Sequence, residues 1–272
     1  IDYGELRIYP GNYEYYLEAS GLIREQLLAG NEKKAAEIEE LQAFVNRFSA
    51  NASKAKLASS RAKKMDKISL DEVKTSSRQT PNLSFAQSKK LHRQALVLED
   101  LGHGYDGETL FAKGSIILDA GQKLAVIGEN GAGKTTLLRC LMKELEANAG
   151  EVKWSENAQI GYCPQDSTAD FDCDLTIFEW MSQWRTPKHN DLIVRGILGR
   201  LLFTDDDVNK RARVCSGGEK NRLLFGKLMM MDINVLIMDE PTNHMDMEAI
   251  EALNIALAEF DGTLIFVSHD RE

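Results

Sequence analysis

The segment Gly128–Thr135 (GENGAGKT) constrains this chain more than any other. It follows an apolar run, Lys123–Gly128 (KLAVIG), and opens a helical pattern over Thr135–Leu145. A buried strand that runs through a glycine-rich loop into a helix fits G-x-x-x-x-G-K-[ST] in the context that motif needs. Glycines at 128, 131 and 133 let the backbone curl so that its N–H groups point inward at phosphate oxygens. The helix N-terminus adds its dipole to the same anion. Lys134 is placed to bridge terminal phosphates, and the Thr135 hydroxyl to ligand magnesium. The candidate phosphate contacts are Gly128, Glu129, Asn130, Gly131, Ala132, Gly133, Lys134, Thr135 and Thr136. A chance glycine-rich turn is the competing reading, and the flanking strand and helix oppose it.

Two further elements bear on the same chemistry. Leu236-Ile-Met-Asp239-Glu240 ends an apolar strand in two carboxylates. Beside a phosphate loop, Asp239 can hold magnesium through water, and Glu240 can polarise an attacking water. Without that loop, the pair would read as solubility capping. Ser216-Gly217-Gly218-Glu219 opens a predicted helix, Glu219–Met231, whose first N–H groups can face an anion. Alone it is a weak signal, since Ser and Gly often cap helices.

From Gln94 onward, strands alternate with helices. Ala95–Leu98, Ser115–Leu118, Val152–Trp154 and Gln159–Tyr162 are predicted strands, and Phe178–Leu202 is mostly helical. Asn234–Met238 (NVLIM) and Thr263–Val267 (TLIFV) are apolar throughout, which predicts an α/β fold with a sheet buried on both faces.

The first third differs. Residues 1–11 predict a short strand (Leu6, Ile8) ending in the turn signal Pro10-Gly11. A helix follows from about Asn12 to Phe48, with Ile38, Leu41, Val45 and Phe48 on one face. The polar break Ser49–Ser53 and a second helix, Lys54 to about Ile68, predict a helical hairpin, and residues 69–94 read as a connector. Residues 42–94 carry 12 basic and 3 acidic side chains, whereas residues 95–272 carry 17 and 30. From Arg47 to Lys67 there are seven basic residues against Asp66 alone. Such a run is either a solvated helix face or a contact for a polyanion such as nucleic acid.

Composition narrows the class. No apolar run reaches 18 residues, and the N-terminus is not a basic-then-apolar leader. The four cysteines (Cys140, Cys163, Cys173, Cys215) lack metal-ligand spacing, so zinc and a disulfide framework are not expected and a reducing cytoplasm is. In that compartment the Asn51-Ala52-Ser53 acceptor pattern carries no meaning. The chain starts without Met and is expected to be part of a longer one.

GENGAGKT, SGGEK, LIMDEPTNHMD and the histidine of VSHD, in this order, resemble the ATP-binding-cassette ATPases over residues 95–272. That resemblance implies a P-loop cassette fold: a mixed sheet core, an antiparallel β subdomain and a helical subdomain, preceded here by an α-helical hairpin. It implies ATP and Mg2+ as ligands and ATP hydrolysis as the activity. It makes Tyr105 the aromatic stacked on adenine and Gln165 a contact to magnesium and water. His269 becomes the switch histidine at the γ-phosphate, and Asp246 part of the loop coupling two sites. Taken singly, Tyr105 is a loop aromatic, Gln165 a surface polar residue and His269 a strand-end histidine. Cys215 departs from the leucine usual before SGG.

Pro241-Thr-Asn243-His244-Met245-Asp246 is similar to the sequence characteristic of the ABC-F branch, whose members act on ribosomes from the cytoplasm. On that resemblance residues 1–19 are the tail of a preceding cassette, 20–94 the interdomain linker that contacts rRNA and tRNA, and 95–272 a second cassette ending just past its switch histidine. ATP would then be sandwiched between two cassettes, with Ser216–Glu219 completing the partner's site. The alternative is the ATPase subunit of a membrane transporter, which the basic hairpin opposes. Chromosome-type cassettes are excluded by the 82 residues from Lys134 to Ser216, too few for an inserted coiled coil. A nucleic-acid module with the nucleotide site as a switch is a third reading, opposed by Glu240 and His269.

Overall fold

The computed structural model describes residues 8–48, 55–65, 68, 79–87 and 89–267. The chain divides into two compact units, Ile1–Arg78 and Gln79–Glu272.

The first unit holds two helices, α1 (Tyr13–Phe48) and α2 (Ala55–Met65). Asn12 starts α1: its Oδ1 accepts from Tyr15 N at 3.0 Å, a cap that satisfies one of the first-turn amides. The two helices meet where the Arg61 guanidinium lies 3.7 Å from the Phe44 ring centroid and Lys64 pairs with Glu37 at 2.6 Å. Both partners of that ion pair are largely exposed, so the pair contributes little to stability. The predicted tip, Ser49–Ser53, with Lys54 and Lys67, and the predicted strand up to Arg7, lie outside the described residues.

The second unit is built on two sheets. A parallel sheet of order β3-β7-β6-β5 comprises β3 (Lys123–Val126), β5 (Ile160–Cys163), β6 (Val235–Asp239) and β7 (Thr263–Val267). An antiparallel sheet of order β2-β1-β4 comprises β1 (Gln94–Tyr105), β2 (Glu108–Asp119) and β4 (Ala149–Trp154). β6 is fully buried, and its alternate residues serve two cores, as a two-residue period requires. Val235 and Ile237 face Leu96, Leu98, Leu138 and Leu141, between the sheets. Leu236 and Met238 face a second core of Leu223, Phe225, Leu228 and Leu253. Leu83 and Phe85 belong to that second core, so the stretch from Gln79 packs with this unit and is more than a bare connector.

The remaining helices are α3 (Lys134–Leu141), α4 (Ile177–Ser182), α5 (Asp191–Arg200), α6 (Gly217–Met230) and α7 (Met247–Glu259). Three differences from the sequence reading have local causes. β1 and β2 are far longer than Ala95–Leu98 and Ser115–Leu118, and join through Asp106-Gly107, both at positive φ (52° and 88°), a tight hairpin turn. α3 stops at Leu141, with Lys143 in the left-handed region at φ 58°. The helix predicted over Phe178–Leu202 is two: α4 ends at Ser182, the loop that follows contains Pro187, which lacks an amide, and α5 starts after Asn190, whose Oδ1 accepts from Ile193 N at 3.0 Å. No described helix is long and apolar enough to cross a membrane.

Candidate functional site

The loop from β3 to α3 curls around the Lys134 ammonium. Gly131 and Gly133 sit at φ 82° and 90°, where a side chain would be strained. Lys134 is buried, and its Nζ donates to the carbonyls of Gly128 and Glu129 at 2.8 and 2.9 Å. Glu129, Asn130, Gly131 and Ala132 form the exposed rim, and Thr135 and Thr136 lie half-buried in the first turn of α3. A Cβ on Gly133 would stand 3.3 Å from Leu110, so the β1–β2 hairpin reaches the loop. Tyr105 ends β1 on that hairpin, 47% exposed, with the buried His103 ring edge-on to it at 4.9 Å. Neither His103 ring nitrogen has a partner among the described residues.

Asp239 ends β6 fully buried, and neither of its carboxylate oxygens completes a hydrogen bond among the described residues. Burial pushes this carboxyl above the usual range, and Glu240 adds to the rise. The facing Thr135 hydroxyl and the Lys134 ammonium oppose it without reversing it. A buried, unsatisfied carboxylate beside a hydroxyl and an ammonium fits a bound cation with phosphate. No cluster of three or more His, Cys, Asp or Glu suited to a metal exists among the described residues.

β5 and β6 are parallel neighbours with Cys163 opposite Met238, so the residues just beyond them leave the sheet side by side. Gln165 Nε2 donates to Glu240 Oε2 at 2.9 Å, and Asn243 Nδ2 donates to the same oxygen at 3.1 Å. Glu240 adopts φ 47° and His244 φ 62°, so the turn between them holds left-handed backbone worth about 1 kcal/mol or more at each. The Glu240 amide donating to Val267 O at 3.0 Å ties that turn to β7. A cavity of about 560 Å3 opens beside Thr135 and Gln165, lined also by Arg139, Tyr162, Trp184 and Lys227. Cys163 lies behind it, its thiol pushed by burial to about 12, so it packs and does not react.

Ser216 caps α6 in a full capping box. Its Oγ accepts from Glu219 N at 3.3 Å, and its own amide donates to Glu219 Oε2 at 2.6 Å. Lys210 Nζ donates to both Glu219 oxygens, at 2.8 and 3.1 Å. Glu219 is therefore occupied in fixing the shape of the loop that opens α6. Cys215 is buried under the same turn. Asp246 caps α7 by accepting from Ala249 N at 2.8 Å. His269 lies outside the described residues.

The fold thus gathers Lys134, Thr135, Gln165, Asp239 and Glu240 at one end of the parallel sheet. The sequence motifs contain Asn243 and His244 without pointing to a task for either, and do not mark Asn221 or Lys210. The three-residue step from Glu240 to Asn243, a turn spacing, was the available signal for Asn243.

Comparison with known proteins finds relatives over the whole chain. A family model described as ABC transporter matches residues 112–243, and a second of the same description matches residues 1–85. The chain is 60% identical over 272 residues, all of its length, to "Probable ATP-binding protein YbiT" of Escherichia coli O157:H7, and covers 51% of that protein. It is 34% identical over 275 residues to "ABC transporter F family member 2" of Arabidopsis thaliana, with 98% of the chain aligned to 40% of that protein. The chain thus spans about half the length of the curated relatives it matches. Among solved structures, the archaeal ribosome recycling factor aABCE1, in complex with the ribosomal stalk protein aP1, superposes with a TM-score of 0.56 at 23% identity. That match covers 69% of this chain and 37% of the other, a likeness of fold. The chain carries a P-loop cassette fold and belongs to the ATP-binding-cassette proteins, in their F branch.

Proposed function

We propose that this chain supplies one half of a two-cassette ATPase in which the basic hairpin contacts the ribosome in the cytoplasm. The observation that carries the ATPase reading is the pair of carboxylates ending β6. Asp239 is buried without a hydrogen-bond partner beside Thr135 and Lys134, and Glu240 is held by Gln165 at its outer edge. On this reading Asp239 binds charge and Glu240 receives a proton.

In this mechanism the loop amides of Gly128–Thr135 and the Lys134 ammonium bind the phosphates of ATP. Lys134 exchanges its two carbonyl contacts for phosphate oxygens. Tyr105, exposed on the hairpin, stacks on the base. Thr135, Gln165 and Asp239 would hold Mg2+, which when bound neutralises charge on the phosphates. Glu240 orients a water and takes its proton while Gln165 and Asn243 fix the carboxylate. His269 is assigned to the γ-phosphate by resemblance alone. The amides of Gly217 and Gly218 and the Ser216 hydroxyl face a nucleotide held by a second cassette, so turnover requires two cassettes. Positioning and electrostatics do most of the catalytic work.

The ribosome reading rests on the charge of the hairpin, on the PTNHMD turn and on membership of the F branch. Its test is co-sedimentation with ribosomes, with and without ATP, of the full-length protein and of a variant with the basic residues from Arg47 to Lys67 neutralised. ATP-dependent binding lost in the variant is the expected result; equal binding of both would remove the hairpin from the function. Steady-state ATPase assays of the 272-residue chain alone should show poor turnover, and brisk turnover independent of protein concentration would refute the need for a second cassette.

A further inference from the structure

The turn after Glu240 and the opening of α6 hold one another at several points. Asn221, on α6, donates from Nδ2 to the Asn243 carbonyl at 2.5 Å. Asn243 in turn donates from its own Nδ2 to Glu240 Oε2 at 3.1 Å, the oxygen that also accepts from Gln165. A Cβ on Gly217 would stand 3.3 Å from His244 Cβ, and one on Gly218 would stand 3.2 Å from the His244 carbonyl oxygen. The glycines that open α6 therefore lie flush against this turn. The turn needs such tethers, because Glu240 and His244 both carry left-handed backbone that an ordinary residue leaves when released.

We propose that Asn221 is a positioning residue for Glu240, transmitting the placement of the α6 N-terminus to the carboxylate that receives the water's proton. The proposal rests on the reading of Glu240 given above. Asn221 pins the backbone of Asn243, and the Asn243 side chain pins the carboxylate. The Ser216–Gly218 end of the same helix is the part assigned to a second cassette's nucleotide. Two hydrogen bonds, Asn221 to the Asn243 carbonyl and the Asn243 side chain to Glu240, thus tie the helix that opens at Ser216 to the carboxylate. When closure on the second cassette shifts α6, Glu240 shifts with it. Asn221 and Asn243 are both half-buried, so loss of the amide leaves a shielded carbonyl short of a donor and the turn free to relax. Movement of the carboxylate by a fraction of an ångström to an ångström affects the chemical step and leaves nucleotide binding in place.

The test uses the full-length protein, with single-turnover ATP hydrolysis, steady-state kcat and KM, and equilibrium binding of a fluorescent ATP analogue. Asn221→Ala and Asn243→Ala should each lower kcat roughly tenfold with KM and analogue affinity within about twofold. The double variant should be no slower than the slower single one, because both act through the same carboxylate. Asn221→Gln, which keeps an amide donor, should recover most of the lost rate. A rate loss that does not scale with the small fall in melting temperature across the set separates this from general unfolding. Wild-type kcat in Asn221→Ala, or a rate loss that follows affinity and melting temperature, would overturn the proposal. Glu240→Gln is measured alongside. If it hydrolyses ATP at the wild-type rate, the reading of Glu240 falls and the proposal with it. If it is inactive while Asn221→Ala is fully active, only the Asn221 link falls.

Discussion

Gln165 and Glu240 are 75 residues apart in sequence, yet Gln165 Nε2 lies 2.9 Å from Glu240 Oε2. They meet because β5 and β6 are parallel neighbours and both residues follow the same end of the sheet. Glu240→Gln in the full-length protein should lower the hydrolysis rate by about a hundredfold or more, the range for removing a general base. ATP affinity should remain. Single-turnover kinetics beside equilibrium binding checks both halves, and loss of binding would mark Glu240 as a ligand contact.

Asp239 carries a cost when no cation is bound. Its buried carboxylate lacks a hydrogen-bond partner among the described residues, and burial holds it above the usual carboxylate range. Asp239→Asn should stabilise the protein free of nucleotide and Mg2+ at neutral pH by about 1–2 kcal/mol. It should also abolish the stabilisation that Mg2+ and ATP add together. A raised carboxyl contributes most to stability below the ordinary carboxylate range and loses that contribution as pH rises through its folded value. The advantage of the Asn variant should therefore narrow as pH falls. Denaturation at several pH values, with and without Mg2+ and ATP, reads this directly.

Glu219 has the opposite sign. Burial pushes its carboxyl up, but the Lys210 ammonium and the Ser216 amide outweigh burial and hold it below the usual range. Its contribution is present above the ordinary carboxylate value and is lost as pH falls through the lowered one. Glu219→Ala should cost about 1 kcal/mol from the cap alone, and Glu219→Gln, which preserves the capping box, less. Urea denaturation of the two variants at neutral pH and in acid is the measurement. An alanine variant as stable as wild type would count against the clasp.

Tyr105 is half-exposed at the end of β1, with the His103 ring setting its tilt at 4.9 Å. Tyr105→Ala should weaken ATP binding about tenfold, and Tyr105→Phe should leave it within about twofold, since the face of the ring does the stacking. Equal affinities in a titration with ATP would detach Tyr105 from the base.

Much of this protein was decided within short stretches of sequence. GENGAGKT between an apolar strand and a helix, the capping boxes Thr176–Glu179 and Ser216–Glu219, and the caps at Asn190 and Asp246 all act across three or four residues. Their partners are neighbours in the chain, so the residues alone dictate them. NVLIM and TLIFV likewise announced buried strands, because a strand apolar on both faces must be covered on both. The lengths of β1 and β2 were not legible, because much of their pairing runs through backbone hydrogen bonds past residues with weak strand preference, such as Gly102, Gly104 and Gly114. Nor was the isolation of Asp239, which depends on β6 lying between β5 and β7. The link from Asn221 through Asn243 to Glu240 belongs to the same class, since it exists only where α6 crosses the turn that follows β6. The sequence determined which groups could meet a phosphate; packing between elements far apart in the chain decided which of them hold one another in place.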